Sequence, residues 1–168
     1  MSNYLKEYIL KKPLKKIKYL EGEPLKLTEE LTFFHNKSKL RKELSRLQYL
    51  FKSYTNNPLL ALGIRDSYLN EEYTDKYLIL LFTTKQILEK TNQIIEQHLD
   101  LEIGDKCYYI KSNTDYLLLL TRDLSGYNEG IDIIEEILKQ SLEHYFETKE
   151  FEDFIKIPPF VIYDCMRE

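Results

Sequence analysis

Residues 76–82 read Lys-Tyr-Leu-Ile-Leu-Leu-Phe, a continuous apolar run bounded by polar residues. Strict alternation of apolar and polar residues marks a strand with one face in water. An unbroken run of this length suits a central strand covered on both faces, so the chain needs a sheet with layers packed on both sides. Its 168 residues, 43% apolar and 31% charged, can supply such a core. A chain of this length buries roughly 70% of its unfolded surface and needs no metal or disulfide to fold. The run is too short to cross a bilayer, which takes about 20 residues. The start of the chain, Met1 to Tyr8, lacks the apolar core of a signal peptide. The expectation is a soluble, cytoplasmic, single α+β domain over residues 1–168.

The remaining elements follow from periodicity. Residues 13–20 alternate apolar and basic side chains, the signal of a half-buried strand, and Glu21 to Pro24 form a turn. Residues 25–27 and 31–35 continue as short strands. Leu40, Leu44, Leu47, Leu50, Phe51 and Tyr54 recur at helical spacing, and this helix should stop near Asn56, Asn57 and Pro58. Residues 59–64 fit either a buried strand or an apolar loop, and residues 65–76 read as irregular. Thr84 is placed to cap a helix carrying Ile87, Leu88, Thr91, Ile94, Ile95 and Leu99 on its inner stripe. Residues 106–111 and 116–121 predict a hairpin across a four-residue connection. Asp123 to Gly126 predict a turn, and a long helix is expected from about 128 to 147. In the tail, Pro158 and Pro159 exclude a helix and predict extended chain. The order implies a mixed central sheet with helices packed on it.

Charge is unevenly placed. Residues 1–56 hold 13 basic and 6 acidic side chains, a balance of +7, and the rest hold 11 and 22, a balance of −11. The expected reading is that the two halves fold together and neutralise each other. Lys37, Lys39, Arg41, Lys42 and Arg46 form a basic stripe, but no recognised nucleic-acid motif accompanies it, so nucleic acid is not an expected partner. His35, His98 and His144 lie apart with no zinc-ligand spacing, and no metal or cofactor is expected. No nucleophile elbow or glycine-rich phosphate cradle is present, so no catalytic residue is assigned. Adjacent carboxylates such as Glu135 and Glu136 point about 100° apart on a helix and read as a solvated face. Cys107 and Cys165 do not suggest a disulfide scaffold, and a reducing compartment is the default.

Three segments carry a family resemblance. Ile9 to Gly22, followed by Leu25 to Leu27, looks like an opening strand and turn. Residues 104–110 and 116–121, then Asp123, Gly126 and Gly130, look like two strands feeding a glycine-bounded turn and a helix. Ile157, Pro158, Pro159, Phe160 and Tyr163 look like a segment leading out of a domain. Together they resemble the non-catalytic N-terminal domain of beta-N-acetylhexosaminidases and related glycoside hydrolases. The resemblance implies an α+β domain with a sheet backed by helices. In that family a sugar-binding arginine stands where this chain has Tyr163. The family's catalytic barrel takes about 250 residues and has no room here.

Three functional classes follow as expectations. The first is a non-catalytic accessory domain that contacts a separate protein. The second is a small-ligand or glycan-binding module using its tyrosines (14 in the chain) as stacking surfaces. The third is a small enzyme of unrecognised type. The candidate ligand-binding residues are Asp123, Gly126, Gly130, Phe160 and Tyr163. Each also has a structural reading: Asp123 as a cap, the two glycines as close-packing positions, and Phe160 as a core plug.

Overall fold

The computed structural model describes residues 7–10, 17–29, 31–35, 41–63, 78–83, 101–148 and 154–165. In chain order these hold β1 (Ile17–Tyr19), β2 (Leu25–Leu27), β3 (Thr32–His35), α1 (Arg41–Thr55), β4 (Leu60–Gly63), β5 (Leu78–Thr83), β6 (Cys107–Ser112), β7 (Tyr116–Thr121), α2 (Leu124–Thr148), β8 (Ile155–Ile157) and β9 (Phe160–Cys165). The fold is α+β. Seven strands form one sheet in the order β1-β9-β6-β7-β5-β3-β4, and β2 and β8 form a second, two-stranded sheet. Neighbours in the large sheet are antiparallel except β3 and β4. That parallel pair is joined by a connection containing α1, as parallel neighbours need a crossover rather than a tight turn.

β5 lies between β7 and β3, as its unbroken apolar run demands. Leu80 and Phe82 join the larger core on one face of the sheet, and Ile79 and Leu81 join a smaller core on the other. All four are fully buried. β7 repeats the arrangement beside it, with Leu117 and Leu119 on the first face and Leu118 and Leu120 on the second. The β6–β7 hairpin forms as its sequence predicts, with Asn113 Oδ1 accepting the backbone N–H groups of Asp115 and Tyr116 in the turn.

α2 lays Ile131, Ile134, Ile137, Leu138, Leu142 and Tyr145 on the first face, all buried. Burying an aliphatic side chain of this size stabilises the fold by roughly 1.5–3 kcal/mol. α1 packs on α2 and buries Leu44, Leu47 and Phe51 in the larger core. The oppositely charged halves meet at this helix pair. The Arg46 guanidinium donates to Asp132 and Glu135 on α2, and Tyr54 Oη donates to Glu143 Oε1 at 2.8 Å. The Arg46 side chain is 41% exposed, so the pairing contributes little stability and mainly neutralises adjoining helix faces. α1 ends at Thr55, where Asn56 takes the left-handed conformation (φ 61°) and returns its N–H to the Lys52 carbonyl.

Several expectations fall outside the described residues: the first part of the strand at 13–20, the start of the first helix at 36–40, the segment 65–76, and the helix following Thr84 with His98. Residues 59–64, read as strand or loop, contain β4. The extended tail is two strands rather than one. β8 pairs with β2 in the small sheet, and after Pro158 and Pro159 the chain enters the large sheet as β9 between β1 and β6. The long helix begins at Leu124, ahead of the expected 128, because Asp123 supplies its cap. His35 is buried at 6% exposure.

The cysteines correct the sequence reading most sharply. Cys107 and Cys165 stand directly opposite each other in the β6–β9 pairing and form a disulfide. They are 58 residues apart in the chain, and only the pairing of the last strand with β6 brings them together.

Candidate functional site

Asp123 binds the first turn of α2 to the entry of β6. Its Oδ1 accepts the Gly126 N–H at 2.8 Å, the N-cap interaction. Its Oδ2 accepts the Lys106 N–H at 2.7 Å, an approach made from the left-handed backbone of Lys106 (φ 60°). Its carbonyl accepts the Tyr127 N–H at 3.1 Å and the Thr121 hydroxyl at 3.2 Å. Gly126 lies against the Cys107 backbone, where a Cβ would overlap the carbonyl oxygen and stand 3.0 Å from its carbon. One turn on, Gly130 lies against the Leu119 side chain. Asp123, Gly126 and Gly130 therefore come together to dock α2 on β6 and β7. Replacing Asp123 by alanine should cost about 1–2 kcal/mol in urea unfolding, as loss of a helix cap does. A variant as stable as the parent would contradict this role.

The two tail candidates separate. Phe160 is fully buried in the larger core, where the rings of Tyr8 and Tyr19 meet it edge-on at 6.1 and 6.3 Å. Tyr163 is 43% exposed and lies on the opposite face of the sheet. Strand alternation places Val161, Tyr163 and Cys165 on that face, and register adds their partners. Tyr163 stands opposite Tyr109, Val161 stands opposite both Lys111 and Lys18, and Cys165 stands opposite Cys107.

This second face is covered unevenly. Over β5 and β7, Ile79, Leu81, Leu118 and Leu120 are fully buried. The same rows continue onto β6, β9 and β1, where Tyr109, Lys111 and Val161 are partly accessible and Lys18 and Tyr163 are exposed. The result is a shelf of two tyrosines and two lysines beside a closed apolar layer. Burial raises the Tyr109 phenol above its usual range, with a smaller contribution from nearby Tyr116. The Tyr109 ring is partly buried against the smaller core. The Tyr163 hydroxyl accepts the Gly104 N–H at 3.1 Å, which fixes that ring against the loop entering β6.

Of the sequence candidates, only Tyr163 belongs to this shelf. Tyr109, Lys111 and Lys18 escape the sequence reading because each looks like an ordinary strand residue. The signal that connects them is cross-strand register, which needs the pairing of β9 with both β1 and β6. Among the described residues, no group of three His, Cys, Asp or Glu side chains is placed to hold a metal ion. No helix among them is long and apolar enough to cross a membrane. No protein-family model matches the chain, and no curated protein sequence matches it.

Proposed function

We propose that this chain is a non-catalytic interaction domain that receives an acidic surface of a protein partner on the shelf formed by β6, β9 and β1. The supporting observation is the uneven cover of one sheet face: closed over Leu118 and Leu120, accessible along Tyr109, Lys111, Val161, Tyr163 and Lys18. Tyrosines give large contact areas with few rotors to immobilise, and a tyrosine body with a polar tip suits a surface that is dry only when bound. Lys18 and Lys111 set the sign of the partner's charge and the rate of encounter. The likeness to the accessory domain of hexosaminidases supports the same reading, since that domain is itself non-catalytic.

A glycan is the second reading, and Tyr109 and Tyr163, opposite each other in the register of β6 and β9, favour it, because flat aromatic faces stack on sugar rings. Amide-shift NMR separates the two. The labelled domain is titrated with a polyglutamate peptide and, separately, with N-acetylglucosamine oligosaccharides. Shifts confined to residues 17–19, 107–112 and 160–165 with the peptide, weakening as salt is added, support the acidic-partner reading. Shifts there with the sugar alone move the glycan reading to the front. No shift with either ligand at millimolar concentration overturns the shelf as a binding surface for these classes.

A further inference from the structure

We infer that the Cys107–Cys165 disulfide is a thiol-exchange site, with Cys165 the sulfur attacked by a low-molecular-weight thiol such as glutathione and Cys107 the leaving and resolving thiol. The inference is independent of what the shelf binds. Three observations carry it.

The bond joins the last residue of β9 to the first of β6, so it closes the terminal rung of their pairing. Five further rungs, from Tyr108 opposite Asp164 to Ser112 opposite Phe160, hold the strands in register without it. Opening the disulfide therefore leaves both sulfurs facing each other, ready to close again.

The two cysteines differ in exposure, although both pack against the smaller core. Cys107 is buried at 5% exposure among Ile103, Tyr116, Leu118 and Leu120, and its Sγ lies 3.3 Å from where a Cβ on Gly104 would stand. Cys165 is only partly buried. Thiol attack depends on access to the sulfur as well as on the leaving group.

The buried sulfur also has a place for the proton it gains. Cys107 Sγ lies 3.3 Å from the Asp105 carbonyl oxygen. In the closed disulfide the sulfur carries no hydrogen. Once opened, its thiol can donate there, a weak bond but one that stabilises the released form.

The step balances as follows. A thiolate RS⁻ attacks Cys165 Sγ, the RS–S bond forms, and the bond between the two cysteine sulfurs breaks. The electron pair leaves on Cys107 Sγ, which takes a proton from solvent. In the reverse direction the Cys107 thiolate attacks the mixed disulfide and expels RS⁻. An adduct on Cys165 lies on the same sheet face as Tyr163 and Tyr109, at the rim of the shelf.

Single-thiol variants test the assignment. Cys107→Ser, which leaves Cys165, should take up glutathione from oxidised glutathione faster than Cys165→Ser, which leaves Cys107. The expected ratio is roughly tenfold or more, because buried cysteines are inert and accessible ones react. Equal rates, a faster Cys107, or no adduct on either overturns the assignment. A second measurement uses the unaltered protein, in case either variant fails to fold. The closed form is exposed to reduced glutathione under native conditions, trapped with iodoacetamide and mapped by peptide mass. Glutathione on Cys165 with alkylated Cys107 is the expected pattern. The reverse pattern, or a bond that never opens, overturns the inference.

Discussion

Reduction of the Cys107–Cys165 disulfide in the otherwise unaltered protein is expected to lower its unfolding free energy by about 4 kcal/mol. The two cysteines are 58 residues apart, and a closed loop of that size restricts the unfolded chain far more than the folded one. The chain-entropy model gives about 3 kcal/mol for a 15-residue loop and about 4.7 for a 100-residue loop, and this loop falls between them. Domains are stable by only about 5–15 kcal/mol, so the loss is a large share of the total. For a chain of this length it corresponds to a fall in melting temperature of roughly 10 °C. Urea unfolding with and without a non-thiol reductant measures it directly, and avoids placing a serine hydroxyl in the apolar site of Cys107. A difference under about 1 kcal/mol would contradict the prediction. The same coupling acts on thiol exchange: folding favours the closed bond to the extent that the bond favours folding.

Gly126→Ala is expected to destabilise by about 1–2 kcal/mol, although alanine is the better helix former. Within a helix, alanine is favoured over glycine by about 1 kcal/mol. Here the added methyl overlaps the Cys107 carbonyl oxygen and stands 3.2 Å from Asp123 Oδ1. Both obstacles are held in place, one as β6 backbone and the other as a carboxylate bonded to two N–H groups. Relief requires lifting the first turn of α2 from the sheet, and overpacking of this kind costs about 1–3 kcal/mol or more. Gly130→Ala is the internal comparison. Its new methyl meets the Leu119 side chain, which can change rotamer, so the propensity gain offsets more of the cost and the net loss stays within about 1 kcal/mol. Thermal unfolding of the two variants side by side reads the difference. A Gly126→Ala protein at least as stable as the parent would mean that α2 does not approach β6 so closely.

Local pattern accounts for the parts of the fold that were legible in the sequence. The unbroken run ending at Phe82 demanded a strand covered on two faces, and β5 is one. The spacing of Ile131, Ile134, Ile137, Leu138, Leu142 and Tyr145 demanded a helix with one buried side, and α2 has it. Pro158 and Pro159 ruled out a helical tail. Part of the surplus of base before residue 57 meets acid from after it between α1 and α2, where Arg46 pairs with Asp132 and Glu135. In each case the determining interactions lie within a few residues of one another, or depend only on side-chain type.

Tertiary structure alone decided what depends on strand neighbours. No local signal says that β9 enters the large sheet between β1 and β6, since a strand carries two free edges and its partners lie far away in the chain. That placement sets Tyr163 opposite Tyr109 and Val161 opposite Lys111 and Lys18. It also sets Cys165 opposite Cys107, which turned two cysteines read as unpaired into a disulfide. Phe160 and Tyr163, three residues apart, were equivalent candidates in the sequence. An odd spacing in a strand sends side chains to opposite faces. Phe160 therefore belongs to the core and Tyr163 to the accessible shelf.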